Sequence, residues 1–167
     1  MFKSILGRLF WTYAIILMLV FTSVAVTVGI FVNHFAISTH MNNVISVSQN
    51  LEYWTGSLQI EDTDYRARAA YKQLLRSWGS FLNSDIIVTN SNGEVLESTT
   101  SSATVPDELV HIVTNGNIVK KYSTLNGSYK NKMMVIGVPI KYQGGIVGAS
   151  FYVTGIFDIR KTTLELF

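Results

Sequence analysis

The sequence predicts an α+β protein in which an N-terminal transmembrane helix continues into a long helix and is followed by a five-stranded antiparallel sheet flanked by helices. Three observations lead to this prediction. Residues 9–33 carry no side chain that is charged at neutral pH. The hydrophobic pattern then stays helical to about residue 60 and through a second helix to about residue 83. From residue 85 it changes to short strands, most of them joined by tight Asn-Gly or Gly-Gly turns.

Residues 9–33 are long and apolar enough to cross a membrane. A helix of about 24 residues spans roughly 36 Å, which exceeds the ~30 Å of the hydrocarbon core. A cleaved signal peptide has a shorter apolar region, and a core helix this apolar would need a large protein around it. We therefore expect a lipid bilayer as a partner. Four hydroxyl side chains in the segment can bond to carbonyls of their own helix, namely Thr12, Thr22, Ser23 and Thr27.

The charges beside this segment predict its orientation. Lys3 and Arg8 precede it and no acidic residue does, so residues 1–8 are expected in the cytoplasm and the remainder outside the cell (plasma) membrane. Eleven of the 13 Lys and Arg residues and all 11 Asp and Glu residues follow the segment, so that part has no net formal charge. It therefore has no general attraction to nucleic acid. The absence of cysteine excludes thiol catalysis, disulfides and cysteine metal sites.

Residues 34–60 are predicted to continue as a helix, because they contain no proline and Gly56 is their first glycine. Spacings of four and three residues alternate along one stripe, which comprises Ile37, Met41, Val44, Ser48, Leu51, Thr55 and Leu58. The stripe can be the seam of a homodimer, or it can pack on the chain's own domain. The sequence leaves both alternatives open. The candidate seam residues are Ile37, Met41, Val44, Leu51 and Leu58.

A second helix is predicted after residues 61–64, where acidic side chains suit the start of a helix. It should end near Asn83. Its apolar face follows helical spacing and comprises Ala67, Ala70, Tyr71, Leu74, Leu75, Trp78, Phe81 and Leu82. Its basic residues lie mostly on the other side, at Arg66, Arg68, Lys72 and Arg76.

Strands and one short helix are predicted for the rest of the outer part. Residues 85–88 and 95–96 form a hairpin, since Asn92-Gly93 lies between two apolar runs. A short helix opens at Pro106 and runs to about Thr114.

Three further strands are predicted at residues 118–125, 132–140 and 146–154. Pro139 cannot donate a main-chain hydrogen bond, so we expect it at a strand end or at a sheet edge. Residues 156–167 again have helical spacing, and we expect this C-terminal helix to lead toward a second transmembrane span outside the given sequence.

No catalytic site is predicted. His34 and His40 are six residues apart and lie on different helix faces, and His111 is the remaining histidine. No metal-ligand spacing, phosphate-binding glycine motif or nucleophile motif occurs. The sequence therefore predicts no catalytic residue, no metal and no cofactor, and it leaves open whether a longer parent protein is an enzyme.

A pocket for a small-molecule ligand is possible in a sheet of this kind. The candidates are aromatic and cationic residues of the second helix and the late strands, namely Arg76, Trp78, Lys120, Tyr122, Lys141 and Tyr152. The alternative is that the tyrosines are half-buried sheet residues and that the lysines protect a sheet edge.

Two stretches resemble a known family. Residues 85–95 (DIIVTNSNGEV) are similar to the first hairpin of extracytoplasmic PAS-like sensor domains of the single Cache type. Residues 137–140 (GVPI) and 144–149 (GGIVGA) are similar to a late strand pair of the same family. The N-terminal anchor, the long helix and the final helix extend the resemblance over nearly the whole chain.

This resemblance implies a function that the residues alone do not indicate. In the family, such a domain is usually the input region of a two-component sensor histidine kinase, and related domains precede chemoreceptors and diguanylate cyclases. It implies a domain of residues 34–155 that senses a signal outside the cell. The alternative within the binding proteins is a stand-alone anchored scaffold. The family's ligand contacts cannot be assigned to residues of this chain, because the match lies in turns and core strands.

Overall fold

The computed structural model describes residues 5–60, 65–101 and 104–155. The chain divides into two compact units, Met1–Ser38 and Thr39–Phe167. The helices are α1 (Ile5–Ile60), α2 (Tyr65–Leu82) and α3 (Asp107–Thr114). The strands are β1 (Asp85–Asn90), β2 (Val95–Ser98), β3 (Val119–Ser123), β4 (Met133–Tyr142) and β5 (Gly145–Thr154).

The N-terminal unit is a helix with apolar side chains on every side. Its most apolar 18-residue window has a mean hydropathy of 2.7, and none of that window is buried. By length and composition it is the one described helix that could cross a membrane. Thr12, Thr22 and Thr27 donate hydrogen bonds to carbonyls four residues earlier, at 2.8–2.9 Å, as expected for hydroxyls in an apolar helix.

The second unit contains a five-stranded sheet in the order β2-β1-β5-β4-β3. Every neighbouring pair is antiparallel. This confirms the predicted α+β fold with a five-stranded antiparallel sheet. The strands β1, β4 and β5 are buried along most of their length, because α2 packs on one face of the sheet and α3 packs on the other.

The face toward α3 is a closed apolar core. Gly137 on β4 leaves room for its neighbours, since an added Cβ would lie 2.7 Å from the Cγ2 atom of Val113 and 2.8 Å from the Cε1 atom of Phe151. A side chain at this position would therefore have to displace the helix or the strand. The buried residues of this α3-side core are Ile87, Val105, Leu109, Val110, Val113, Val119, Leu125, Val135, Ala149, Phe151 and Val153.

The opposite face carries the alternate residues of the same strands. Tyr152 on β5 lies between Ile86 of β1 and Ile136 of β4, and all three are fully buried. Tyr71 and Leu75 of α2 are buried as well, at 7% and 0% exposure. This face is less uniformly apolar than the α3-side core, since its β5 residues include Ser150 and Thr154.

Pro139 lies inside β4, at a point where the sheet has a local edge. β3 pairs with β4 only over Met133 to Gly137, so Pro139 has β5 as its one neighbouring strand. The carbonyl of Val138 points toward β5, where it accepts a hydrogen bond from Ser150 at 3.3 Å. The main-chain groups of Pro139 therefore point to the side of β4 that has no paired strand, where the ladder requires no donor.

Several details differ from the sequence prediction. Phe81 was expected on the apolar face of α2, but it is 71% exposed, because it lies to the side of the buried stripe formed by Tyr71, Leu75 and Leu82. Pro106 precedes α3 as its N-cap, with an extended ψ of 135°, instead of being its first helical residue. The predicted helix at 156–167 and the predicted break at 61–64 lie outside the described residues.

Candidate functional site

A cavity of about 370 Å³ lies between the helices and the β1–β2 side of the sheet. We call it the helix-side cavity. Its wall combines apolar and polar side chains from four elements, which are Thr55 of α1, Arg68 and Tyr71 of α2, Val88 and Asn90 of β1, and Leu96 and Glu97 of β2. Cavities with a largely apolar wall and a few polar groups are typical of small-molecule sites.

A buried pair of hydroxyl groups joins α1 to α2 in the cavity wall. Thr55 Oγ1 lies 2.6 Å from Tyr71 OH, and the two residues are only 2% and 7% exposed. Burial raises the pKa of Tyr71 to about 12, the hydrogen bond from Thr55 opposes this rise, and the nearby carboxylate of Glu97 adds to it. Tyr71 is therefore neutral at physiological pH and remains a donor or acceptor.

The charged groups of the cavity are unequally engaged. Glu97 forms an ion pair with Lys72, in which Oε1 of Glu97 lies 3.0 Å from Nζ of Lys72. Arg68 is exposed at the cavity and forms no ion pair or hydrogen bond within the described ranges. Asn90 is held by its own turn, because its Nδ2 donates to Glu94 at 2.7 Å. Arg68 is thus the cation most available to an occupant of the cavity.

Tyr152 is the most deeply buried of the predicted ligand residues. It is fully buried, and its hydroxyl has no hydrogen-bond partner among the described residues. Burial raises the pKa of Tyr152, so its hydroxyl is neutral at physiological pH. Because Phe151 and Val153 belong to the α3-side core, Tyr152 between them faces the opposite side of the sheet, which is the side of α2 and Tyr71.

The other predicted ligand residues do not converge on one site. Lys120 shares a row with Tyr152, because both pair with Ile136 from opposite sides. Tyr122 follows on the same face of β3, and it is 45% exposed. Lys141 lies opposite Ile146, five residues further along β4, which corresponds to about 17 Å.

The two predicted ligand residues of α2 lie elsewhere. Trp78 is half-buried, and Arg76 lines two surface depressions that neither Lys120 nor Tyr152 lines. All six residues therefore stay predictions, and the structure spreads them over α2 and three strands. Within the described part of the chain no group of three or more His, Cys, Asp or Glu residues could hold a metal ion.

The predicted seam residues have different surroundings. Val44 and Leu51 are fully buried in the single chain, which favours packing on the chain's own domain for these two. Ile37 and Met41 are half-buried, and the side chain of Leu58 lies outside the described residues. The homodimer stays a prediction.

Sequence reasoning missed most of the helix-side cavity. Thr55 could have been singled out from the sequence, since it is one of two polar residues in the otherwise apolar stripe from Ile37 to Leu58. Ser48, the other one, donates to the carbonyl of Ile45 in its own helix, whereas Thr55 reaches across to α2. The sequence could not identify the remaining polar wall residues, because each has the pattern of an ordinary surface residue; these are Arg68, Asn90 and Glu97.

Comparison with known proteins identifies the fold. No protein-family model matches the chain, and no curated protein matches it. Among solved structures, the chain is similar to the ligand-binding domain of the Campylobacter jejuni chemoreceptor Tlp3 in complex with L-norvaline, with a TM-score of 0.54 and 16% identity over 79% of this chain. It is also similar to the sensor domain of the V. cholerae histidine kinase DctB, with a TM-score of 0.45 and 9% identity over 77% of this chain.

The chain spans 57% of the length of the Tlp3 domain and 56% of the DctB domain. The likeness to the Tlp3 domain shows a shared fold. The predicted resemblance to extracytoplasmic PAS-like sensor domains of the Cache type is therefore confirmed for the fold.

Proposed function

We propose that this chain is the membrane-anchored, extracytoplasmic signal-sensing region of a larger signalling protein, and that the helix-side cavity binds its ligand. The finer proposal is the input region of a two-component sensor histidine kinase that acts as a homodimer in the plasma membrane. In this arrangement residues 9–33 form the span, residues 34–155 form the sensor domain, and residues 156–167 lead toward a second span.

The observation that carries the proposal is the composition of the cavity wall. Thr55, Tyr71 and Val88 belong to α1, α2 and the sheet, so a solute in this space contacts all three at once. The shared fold with a chemoreceptor ligand-binding domain supports a sensing role over a scaffold. The closed α3-side core supports the helix side as the place of binding.

The proposed mechanism is a shift between two arrangements of α1 and α2. A solute that binds one arrangement more tightly than the other shifts their populations by its difference in affinity. Couplings of this kind are typically about 1–3 kcal/mol. The pair formed by Thr55 and Tyr71 is the contact that such a shift would strengthen or break.

A solute screen on the full chain in lipid nanodiscs tests the binding step. We expect at least one small solute to raise the melting temperature of the wild type, and Leu96→Trp to abolish that rise by filling the cavity. Leu96 is 45% exposed, so the variant should fold. Ile118→Trp is the matched control, because Ile118 is 46% exposed and does not line the cavity.

A distance measurement tests the mechanism. The chain has no cysteine, so Gln49→Cys and Ser77→Cys place spin labels on exposed positions of α1 and α2 without background labelling. We expect the solute to change the distance between the two labels in the doubly labelled chain, but not when that chain also carries Leu96→Trp. Binding that leaves this distance unchanged would contradict the mechanism, and binding that survives Leu96→Trp would contradict the cavity as the site.

The output is tested by the coding sequence beyond Phe167. A second apolar span followed by a histidine phosphoacceptor motif would support the kinase. Long heptad repeats or a cyclase motif after the span would support the chemoreceptor or the diguanylate cyclase. A stop codon directly after Phe167 would contradict transmembrane signalling and favour the anchored scaffold.

A further inference from the structure

The chain contains three Asn-Gly pairs, and the asparagine of each pair is exposed. The pairs lie at residues 92–93, 115–116 and 126–127. In such a pair the main-chain nitrogen of the glycine can attack the side-chain amide of the asparagine, because glycine has no Cβ to hinder the approach. Exposure does not distinguish the three asparagines, so a difference in their reactivity has to come from the main chain around them.

In two of the pairs the glycine N–H closes a turn. The N–H of Gly93 donates a hydrogen bond to the carbonyl of Asn90 at 3.1 Å, and the N–H of Gly116 donates to the carbonyl of Val113 at 2.9 Å. A main-chain N–H that is bonded in this way has to open locally before solvent can remove its proton. The glycine nitrogens of these two pairs are therefore protected.

The third pair lies one position earlier in its turn, between β3 and β4. This turn is closed by the N–H of Ser128, which donates to the carbonyl of Leu125 at 3.0 Å. Asn126 and Gly127 are its two central residues, and their φ angles of 55° and 84° are those of a type I′ turn. In the described part of the chain, neither the carbonyl of Asn126 nor the N–H of Gly127 forms a hydrogen bond.

The peptide group between Asn126 and Gly127 can therefore rotate while the turn stays closed. Type I′ and type II′ turns differ in the orientation of this group, which makes φ of the second central residue positive in one and negative in the other. Glycine accepts both signs, and an added Cβ on Gly127 would meet no atom within 4 Å. The rotation changes ψ of Asn126, which sets the distance from the Gly127 nitrogen to the Asn126 side-chain amide.

We propose that Asn126 is the asparagine that the folded chain loses first by deamidation, ahead of Asn92 and Asn115. The nitrogen of Gly127 bonds to Cγ of Asn126, the Cγ–Nδ2 bond breaks, and Nδ2 leaves as ammonia with the proton of the Gly127 N–H. Water then opens the resulting succinimide at either carbonyl and gives aspartate or isoaspartate. One water is consumed, one ammonia is released, and nothing is oxidised or reduced.

The product changes the turn in two ways. Both products add a negative charge, and isoaspartate also adds one atom to the main chain. This atom enters directly after Leu125, which is fully buried in the α3-side core. Isoaspartate at position 126 should therefore lower the melting temperature of the chain.

Peptide mapping by mass spectrometry tests the site, on the full chain stored in lipid nanodiscs at physiological temperature and pH. Trypsin releases residues 122–130, in which Asn126 is the only asparagine, and cleavage after Glu94 separates Asn92 from Asn115. We expect Asn126 to convert at least about fivefold faster than either of the others, because each of their glycine N–H groups first has to break a hydrogen bond. Asn126→Gln is the matched control, since its longer side chain would have to form a six-membered ring, and residues 122–130 should then keep their mass.

The same mapping in concentrated urea separates the effect of the fold from that of the neighbouring residues. We expect the three conversion rates to become similar, because the turns are lost in the unfolded chain. An unchanged lead of Asn126 in urea would assign it to the local sequence and overturn the proposal. Equal rates in the folded chain, or no conversion of Asn126 there while the unfolded chain converts all three, would overturn it as well.

Amide hydrogen exchange tests the structural premise directly. The N–H of Gly127 should exchange faster than those of Gly93 and Gly116 in the folded chain. Equal or slower exchange at Gly127 would contradict the free peptide group on which the proposal depends. None of these measurements involves a solute in the helix-side cavity, so this proposal can fail or succeed independently of the proposed sensing function.

Discussion

Replacing Thr55 with valine should destabilise the second unit, residues 39–167, by about 1–3 kcal/mol. The side chains have nearly the same shape, so the change removes the hydroxyl and little else. The hydrogen bond to Tyr71 is short, at 2.6 Å, and both residues are almost fully buried. A neutral hydrogen bond contributes about 0.5–1.5 kcal/mol, but a buried group left without a partner costs about 1–3 kcal/mol. The larger range applies, because valine leaves the Tyr71 hydroxyl unpaired.

A double-mutant cycle measures this contribution. The free energy of unfolding is determined by urea denaturation of the full chain for the wild type, Thr55→Val, Tyr71→Phe and the double variant. We expect the double variant to be less destabilised than the sum of the single variants by about 1 kcal/mol, because it leaves no unpaired hydroxyl. Ser48→Ala is a control, since the Ser48 hydroxyl bonds within its own helix.

Two results would refute this reasoning. Additive single variants would mean that the two hydroxyls do not interact. A Thr55→Val variant as stable as the wild type would mean that Tyr71 finds another partner or that α1 and α2 are not joined here.

Three further predictions also concern buried residues. Because burial raises the pKa of Tyr71 from 10.0 to about 12, the protein should lose about 3 kcal/mol of its free energy of unfolding as the pH rises from 10 to 12, and none of this stability below pH 10. Tyr71→Phe should remove this loss from a plot of unfolding free energy against pH, and an unchanged plot would contradict the prediction. Gly148→Ala should prevent or strongly weaken folding, because its Cβ would lie 2.1 Å from the carbonyl oxygen of Thr89; Gly145→Ala, whose nearest atom would be at 3.9 Å, is the control, and equal circular-dichroism melting curves would refute the close approach. Leu51→Ala should cost about 2–5 kcal/mol in urea unfolding at any protein concentration, because Leu51 is buried within one chain; a loss of stability that appears only at high protein concentration would instead indicate a dimer contact.

The sequence predicted the elements of this protein because their signals are local. Alternation along Ala149, Phe151 and Val153 gave β5, helical spacing gave α2, and the Asn-Gly pair at 92–93 gave the first hairpin. The exposed Phe81 shows the limit of this reasoning. Helical spacing identifies a face of a helix but not the width of the stripe that becomes buried, and Phe81 lies beside the buried Leu75 and Leu82.

The helix-side cavity could not be predicted in the same way. Its volume depends on the separation of α2 from β1 and β2, which is fixed by packing between residues far apart in the sequence. Tyr71 was correctly placed on the apolar face, but its hydroxyl partner Thr55 lies 16 residues earlier on another helix. Arg68 and Glu97 become wall residues only through that arrangement.

Proline at position 139 allows β4 to continue past the end of β3. Beyond Gly137, β4 has no paired β3 residue, yet Val138, Pro139 and Ile140 are buried. Any other residue at this position would carry a buried main-chain N–H with no paired strand to accept it, and an unpaired buried donor costs about 1–3 kcal/mol. Proline has no such donor, so β4 can pair with β5 as far as Tyr142 without this cost.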